Sequence, residues 1–293
     1  MILLFGRDGQ VGFELFSSLT AELGDAQIVA PTRQALDLSH LDQVKKILRE
    51  VKPKFILNAA AYTNVEGAES NERDARRLNS ELPALLAEEA KRQNAFLIHF
   101  STDYIFDGTK RSPYVEEDIP SPLNVYGQTK LAGEKNIQAI FDQFLLFRLS
   151  WVYSLRRSNF VLKMIQLAKS QNEISVVDDQ WGAPTCAPSI AKSILQILKN
   201  FEFSPSLLKE KRGIYHLSAG GSTTWFRFAE RIFARIPARE LTLQHLKPIS
   251  SNQFGARVKR PLNSVLSNDK LDQAFGIRLE SWEEQFDSMF RNK

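Results

Sequence analysis

The segment "LLFGRDGQVGFEL" (residues 3–15) decides the fold, because it joins a strand to a helix through three regularly spaced glycines. The apolar run at 2–5 is typical of a buried strand. The glycines follow at three-residue intervals: Gly6, Gly9 and Gly12. In a dinucleotide-binding turn, glycines permit the tight bend, the approach of a pyrophosphate to the backbone, and close packing of helix on strand. Ordinary turns also use glycine, so the position between strand and helix carries the prediction.

Short apolar runs alternate with helical patterns through the first half of the chain. The runs lie at residues 2–5, 26–30, 54–61, 95–102 and 144–150. Continuous apolar strands are typical of a parallel sheet that is covered on both faces. We therefore predict an α/β fold, namely a Rossmann-type doubly wound parallel sheet with a smaller C-terminal substrate-binding lobe.

The alternation weakens after residue 150, where Pro and Gly become more frequent. A helix at 188–199 and a strand at 213–220 are still predicted there. We expect the dinucleotide-binding domain to comprise residues 1–150 and approximately 187–218. The remaining residues, 151–186 and 219–293, are expected to form the substrate-binding lobe.

Two local patterns predict helix boundaries. Ser39 and Asp42 resemble a capping box at the start of a helix, with Asp in the place of Glu. Pro83 lies in the middle of a helical pattern that covers residues 67–93. A proline at such a place predicts a kink or the join of two helices.

Composition and charge exclude several classes of protein. The chain has 293 residues, of which 43% are apolar and 25% charged, as in ordinary soluble globular proteins. Its net charge of +4 is spread without a basic block, which suits an anionic small molecule and does not favour nucleic acid. The single cysteine, Cys186, excludes an internal disulfide and fits a reducing compartment. Without a signal-peptide pattern or a long apolar run, we expect a cytoplasmic protein with no membrane span.

The end of the second predicted strand bears on the choice of cofactor. Enzymes that use NAD often have an acidic residue there, ~20 positions after the glycine turn, which holds the ribose hydroxyls. In "VAPTRQALDLS" (29–39) no carboxylate lies at the strand tip, which carries Thr32 and Arg33 instead. Arg33 can meet a 2′-phosphate, so the pattern favours NADPH, with NADH as the alternative. Arg33 can equally be a solvated turn residue.

A Tyr and a Lys lie one helical turn apart in "LNVYGQTKLAGEK" (123–135). Tyr126 and Lys130 therefore share a helix face. A free Tyr has a pKa near ~10, and a neighbouring ammonium group lowers it, which suits proton exchange with a carbonyl or an alcohol. The strand end "HFSTDYIFDG" (99–108) adds the hydroxyl of Thr102 at the sheet edge where α/β folds bind ligands.

Together these motifs resemble the dTDP-4-dehydrorhamnose reductase family of extended short-chain dehydrogenase/reductases. The resemblance runs along most of the chain and includes "GRDGQVG" (6–12), "NAAAYTNVEGAES" (58–70), "STDYIFDG" (101–108), "RLSWVY" (148–153), "DQWGAPT" (179–185) and "RPLNSVL" (260–266). It implies reduction of dTDP-4-dehydro-β-L-rhamnose to dTDP-β-L-rhamnose by hydride transfer from NADPH or NADH, in cell-surface polysaccharide biosynthesis. Leu149 departs from the family, which has Thr at that position, and Trp181 replaces a Tyr.

Carried over by position, the resemblance also implies roles for individual residues. Thr102, Tyr126 and Lys130 would form the catalytic trio. The cofactor would lie along Gly9, Gln10, Val11, Asp37, Leu38, Ala60, Ala61 and Tyr62, besides the catalytic Tyr and Lys.

The sugar nucleotide would contact Thr102, Asp103 and Trp151. The flat apolar face of an indole suits the C–H surface of a sugar, although Trp151 can also be a core residue at a domain junction. Arg260, with Arg257 and Lys259, would neutralise the diphosphate or would form a solvated basic loop.

Other functions remain open at this point. One is another sugar-nucleotide reductase or epimerase on the same scaffold, for example one acting on a GDP-sugar. Another is a non-catalytic regulatory subunit like that of methionine adenosyltransferase. The family often forms homodimers, and some members use Mg²⁺ in doing so, but no carboxylate cluster in the sequence requires a metal.

Overall fold

The computed structural model of the protein describes residues 1–291. Its strands are β1 (Ile2–Phe5), β2 (Ile28–Val29), β3 (Phe55–Asn58), β4 (Phe96–Thr102), β5 (Phe144–Leu149), β6 (Val152–Tyr153), β7 (Glu173–Val177), β8 (Trp181–Gly182), β9 (Thr185–Cys186), β10 (Gly213–His216), β11 (Thr223–Thr224) and β12 (His245–Ile249). Its α-helices are α1 (Gln10–Leu23), α2 (Leu41–Val51), α3 (Val65–Ser70), α4 (Glu72–Arg76), α5 (Leu82–Gln93), α6 (Val125–Ile140), α7 (Phe160–Ala168), α8 (Ala187–Asn200), α9 (Pro205–Leu208), α10 (Trp225–Phe233), α11 (Ser251–Phe254), α12 (Asp269–Phe275) and α13 (Trp282–Arg291).

The central sheet has six parallel strands in the order β2–β1–β3–β4–β5–β10. From β1 the chain first adds β2 on one side and then β3 on the other, so the direction of winding reverses between β1 and β3. In open α/β sheets, ligands bind in the crevice outside the carboxyl ends of the strands at this switch point. The predicted doubly wound α/β fold is confirmed.

Alternating side chains of the central strands build a core on each face of the sheet. Leu4 and Leu15 belong to the cluster that packs α1 and α8 on one face. Leu3 and Phe5 belong to the cluster that packs α2, α5 and α6 on the other. Because strand side chains alternate between faces, a strand buried on both sides needs an unbroken apolar run, as the sequence has.

A third apolar cluster lies among α7, α10 and α13 and includes Tyr153, Phe228 and Phe286. Beside it, β7 and β12 pair in parallel. This cluster belongs to the C-terminal half, as the predicted lobe does. The proposed domain boundaries remain a prediction, and α12 departs from them, because Leu271 and Phe275 pack on the core of the central sheet.

The two helix-boundary predictions have different outcomes. Pro83 lies in the first turn of α5, directly after a π-helical turn at Arg77–Glu81, so the predicted join of helices is confirmed. The predicted capping box is wrong, because α2 begins at Leu41 with His40 as its N-cap. The backbone N–H of Ser39 instead donates to the Asp37 carboxylate at 2.9 Å, which forms a local turn upstream of the helix.

Within residues 1–291, none of the helices combines the length and the apolar character that a membrane crossing requires.

Candidate active site

The turn between β1 and α1 has the shape that a pyrophosphate needs. Gly6 has a φ of +84°, and a Cβ there would lie 2.5 Å from the backbone nitrogen of Ala60. A Cβ on Gly12 would lie 2.0 Å from the carbonyl oxygen of Gly6. Helix α1 begins at Gln10 after Gly9, and no side chain within residues 1–291 caps it. Its N-terminal dipole and its first N–H groups can therefore serve an anion, so these residues fit a dinucleotide cofactor.

The side chain of Gln10 makes hydrogen bonds within the protein and does not point to the pyrophosphate side of this turn. Its Oε1 accepts hydrogen bonds from Ser154 Oγ and Asn159 Nδ2, each at 2.9 Å. A cofactor would therefore meet the backbone of Gln10, and with it Val11, rather than the amide side chain. The Gln10 side chain instead holds the glycine turn to the segment that follows β6.

A carboxylate does lie at the tip of β2, contrary to the expectation from the sequence. It belongs to Asp8 of the glycine turn, whose Oδ2 accepts the backbone N–H of Arg33 at 2.7 Å. Asp8 and Arg33 are 25 positions apart, so neither composition nor local pattern indicated this contact. Arg33 is exposed here, and Asp37 and Leu38 follow at the same end of the sheet.

The loop after β3 brings Ala60, Ala61 and Tyr62 to the crevice beside Gly6. Asn58 accepts the backbone N–H of Ala60 at 3.1 Å and so turns the chain at the strand end. Asn79, in the π-helical turn, bonds both backbone groups of Tyr62, at 2.8 and 3.0 Å, and donates to Thr129 Oγ1 at 3.1 Å. The buried Asn79 therefore ties this loop to α6. This role of Asn79 was not predicted from the sequence. The only feature predicted in this segment was the helix join near Pro83.

Helix α6 delivers Tyr126 to the end of β4. Its N-cap, Asn124, accepts the backbone N–H of Gly127 at 2.8 Å. A Cβ on Gly127 would lie 2.2 Å from the carbonyl oxygen of Tyr104, so only glycine lets the helix start this close to the β4 exit. The Tyr104 ring packs edge-on against the Tyr126 ring, with centroids 5.9 Å apart. Thr102 and Tyr126 thus come together as predicted by their motifs.

The pKa of Tyr126 is raised, not lowered as predicted. Removal from solvent raises it to about 12, the Thr102 hydroxyl lowers it, and the Asp103 charge raises it further. The Lys130 ammonium donates to the carbonyl oxygen of Phe100 at 2.7 Å, inside the protein. Burial lowers the pKa of Lys130 to about 8, and Glu134 opposes that effect. At neutral pH Tyr126 is therefore a protonated phenol, which is the form that can donate a proton.

Asp103 is a buried carboxylate beside Thr102 and Tyr126. It accepts hydrogen bonds from Thr102 Oγ1 at 3.1 Å and from Ser150 Oγ at 2.9 Å. Burial raises its pKa to about 6, although these hydroxyls and Ser264 lower it. It links the ends of β4 and β5, and it orients the hydroxyl of Thr102.

Replacing Asp103 with Asn should make stability less sensitive to pH. The pKa of Asp103 rises from 3.8 to about 6 on folding. The contribution of the protonated side chain to the free energy of unfolding is therefore fully present below pH 3.8 and is lost as pH rises through 6. Two pKa units correspond to roughly 3 kcal/mol of unfolding free energy. Urea unfolding at acidic and at neutral pH should show the stability of the Asn variant, relative to the wild type, increasing with pH. A stability difference that does not change with pH would contradict this interpretation.

Trp151 lies beyond the end of β5 with one face of its indole covered by another aromatic ring. The Trp225 ring stacks on one face, with centroids 3.5 Å apart and planes within 5°. A Cβ on Gly182 would lie 2.2 Å from Trp151 Cε2, so only glycine lets the β8 backbone come this close to the indole. The face that stacks on Trp225 is closed to a ligand, so the predicted contact of a sugar with Trp151 would have to use the rest of the ring. Trp225, from the C-terminal half, is a wall residue to which the sequence pattern assigned no role.

Arg260 faces the crevice but has an acidic neighbour. Its Nη2 donates to Glu66 Oε1 at 3.2 Å, and its charge acts on the phenol of Tyr104. Asn124 donates to the carbonyl oxygen of Lys259 at 3.0 Å, which holds this basic loop at the start of α6. Arg260 is thus placed near Tyr104, with part of its charge already compensated by Glu66.

Within residues 1–291, no group of three or more His, Cys, Asp or Glu side chains could hold a metal ion. The Mg²⁺ suggested by the family resemblance is therefore not supported for the single chain.

Comparison with known proteins gives one consistent result. The family model described as the RmlD substrate binding domain matches residues 1–293. A dTDP-4-dehydrorhamnose reductase of Burkholderia thailandensis is 41% identical over 285 residues, covering 96% of this chain and 95% of the relative. The Escherichia coli K12 enzyme of the same name is 40% identical over 286 residues, covering 96% and 94%.

A solved structure agrees with these sequence matches. The Bacillus anthracis dTDP-4-dehydrorhamnose reductase in complex with NADP superimposes with a TM-score of 0.89 at 32% identity, covering 100% of this chain and 99% of that one. The chain therefore belongs to the dTDP-4-dehydrorhamnose reductase family.

Proposed function

We propose that this protein reduces dTDP-4-dehydro-β-L-rhamnose to dTDP-β-L-rhamnose in the biosynthesis of a cell-surface polysaccharide. One observation carries the proposal: Thr102 and a protonated Tyr126 converge at the carboxyl end of β4, beside a glycine turn that fits a dinucleotide. Relatives that carry this enzyme name over nearly their whole length support the choice of substrate.

Each of the residues in the crevice would have a separate role in carbonyl reduction. NADPH, bound with its pyrophosphate at the N-terminus of α1, would supply the hydride to C4 of the sugar. Thr102 would donate a hydrogen bond to the C4 carbonyl oxygen by turning its single hydroxyl proton from Asp103, which accepts it in the free crevice, to the substrate. Tyr126 would give its proton to that oxygen as negative charge develops there. Lys130 would hold the nicotinamide ribose against β4, and its positive charge would stabilise the phenolate that Tyr126 becomes.

NADPH is the proposed cofactor because Arg33 is exposed at the tip of β2, and the Bacillus anthracis relative is a complex with NADP. The proposal places the protein in the cytoplasm, since a free buried Cys186 suits a reducing compartment. The dTDP-sugar is the proposed partner, and a homodimer remains an inference from the family alone.

Turnover with defined nucleotide sugars tests the proposal. Purified protein should consume NADPH with a dTDP-linked 4-keto-6-deoxy sugar and should do so far more slowly with a GDP-linked one. Preference for the GDP-sugar would favour the alternative reductase, and interconversion of sugars without net NADPH consumption would favour an epimerase. Failure to oxidise NADPH with any keto sugar, combined with tight binding to a partner chain, would favour the regulatory subunit.

A further inference from the structure

The neighbourhood of Asp8 combines opposite charges at the tip of β2. Asp8 Oδ2 accepts the backbone N–H of Arg33 at 2.7 Å, and the Asp8 side chain is only partly buried. Arg157 Nε donates to the backbone carbonyl oxygen of Asp8 at 2.7 Å, and Arg7 Nη1 donates to the carbonyl oxygen of Ala30 at 3.2 Å. No ion pair within residues 1–291 engages the exposed Arg33 guanidinium.

The tip of the second strand is where a dinucleotide fold distinguishes its two cofactors. A carboxylate at this place accepts hydrogen bonds from the ribose hydroxyls of NADH and repels the 2′-phosphate of NADPH. A guanidinium at the same place attracts the 2′-phosphate. In most such folds the acidic residue belongs to the second strand itself, whereas here β2 offers none and the glycine turn supplies one through space.

We propose that Asp8 is a specificity-determining residue that recognises the adenosine ribose of NADH and opposes the 2′-phosphate attraction of Arg33. Asp8 and Arg33 together then set the preference between the two dinucleotides. This role of Asp8 rests on the proposed function in one respect, namely that a dinucleotide cofactor binds in this crevice.

Direct binding titrations test the role of Asp8 without any sugar substrate. NADPH and NADH are titrated separately into wild type and Asp8→Asn, and Kd is followed by energy transfer from protein tryptophan to the nicotinamide. The Asn side chain keeps an acceptor for the Arg33 N–H, so the local turn is preserved and only the charge is removed. The ratio of the NADH Kd to the NADPH Kd should rise by roughly tenfold, mostly through tighter NADPH binding at low salt.

Two further variants complete the experiment. Asp25→Asn removes the same charge from the exposed turn that precedes β2, at the opposite end of that strand, and should leave the Kd ratio unchanged. Arg33→Gln should weaken NADPH binding and leave NADH binding nearly intact. A Kd ratio in Asp8→Asn within twofold of wild type would overturn the role of Asp8. The absence of sugar turnover would instead contradict the proposed reaction, so the two failures are distinguishable.

Discussion

Replacing Tyr126 with Phe should lower kcat by about a thousandfold while leaving the Kd for NADPH nearly unchanged. The substitution removes one oxygen, which is the proposed source of the proton, and general acid catalysis of this kind contributes roughly 10²–10⁴-fold to the rate. The ring stays to pack against Tyr104, with which it makes an edge-on contact at 5.9 Å. Steady-state NADPH oxidation with the dTDP-linked keto sugar measures kcat, and the fluorescence titration measures cofactor binding.

Tyr104 provides the matched control for this experiment. Both tyrosines lie at the same crevice, and both lose one hydroxyl on substitution by Phe. Tyr104→Phe should lower kcat by less than about tenfold, since its phenol, whose pKa is raised by burial, is not placed as the proton donor. Equal losses in the two variants would assign the effect to the polarity of the crevice and would contradict the catalytic role of Tyr126.

The raised pKa of Tyr126 also specifies the pH behaviour of the reduction. An acid whose pKa is about 12 keeps its proton throughout the neutral range. Loss of activity on the alkaline side between about pH 7 and 9 should therefore follow another group. Lys130, with a pKa lowered by burial to about 8, loses its charge in this range.

What could be predicted from the sequence is what depends on neighbouring positions. The glycine turn, the central strands and the helix that carries Tyr126 and Lys130 all follow from residue types at fixed local spacing. The helix join at Pro83 has the same origin, because proline acts on its own turn. The prediction of a capping box was wrong although it is also local, because Asp37 and not Asp42 accepts the Ser39 N–H.

The features that could not be predicted depend on contacts between distant segments. Asp8 meets Arg33 across 25 positions, and the Trp151–Trp225 stack joins the end of β5 to a helix of the C-terminal half. The sign of the pKa shift at Tyr126 follows from enclosure by several segments, which a Tyr and a Lys in one motif do not reveal. The family motifs named Tyr126 and Trp151, but they gave neither the electrostatics of the first nor the stacking partner of the second.

Replacing Arg148 with Met should lower the free energy of unfolding by about 3–5 kcal/mol, because it leaves a buried charge without its partner. Arg148, on β5, donates from Nε and Nη2 to the Glu134 carboxylate of α6, with the shorter contact at 2.9 Å. The side chains are only 3% and 0% exposed. The same guanidinium lies 3.4 Å from His216 of β10, so the pair joins the helix that carries Tyr126 to the last strand of the sheet. Urea unfolding measures the loss.

The double variant Glu134→Leu with Arg148→Met separates the cost of an unpaired charge from the loss of packing. Without the carboxylate, the apolar Met no longer leaves a buried charge unpaired, so most of the lost stability should return. An exposed pair gives the matched comparison: Arg76 and Glu72, 50% and 48% exposed, lie one turn apart on a helix surface. Arg76→Met should cost less than about 1 kcal/mol, because solvent screens both charges. A double variant as unstable as Arg148→Met alone would show that packing of the arginine stem, and not its charge, holds α6 to the sheet.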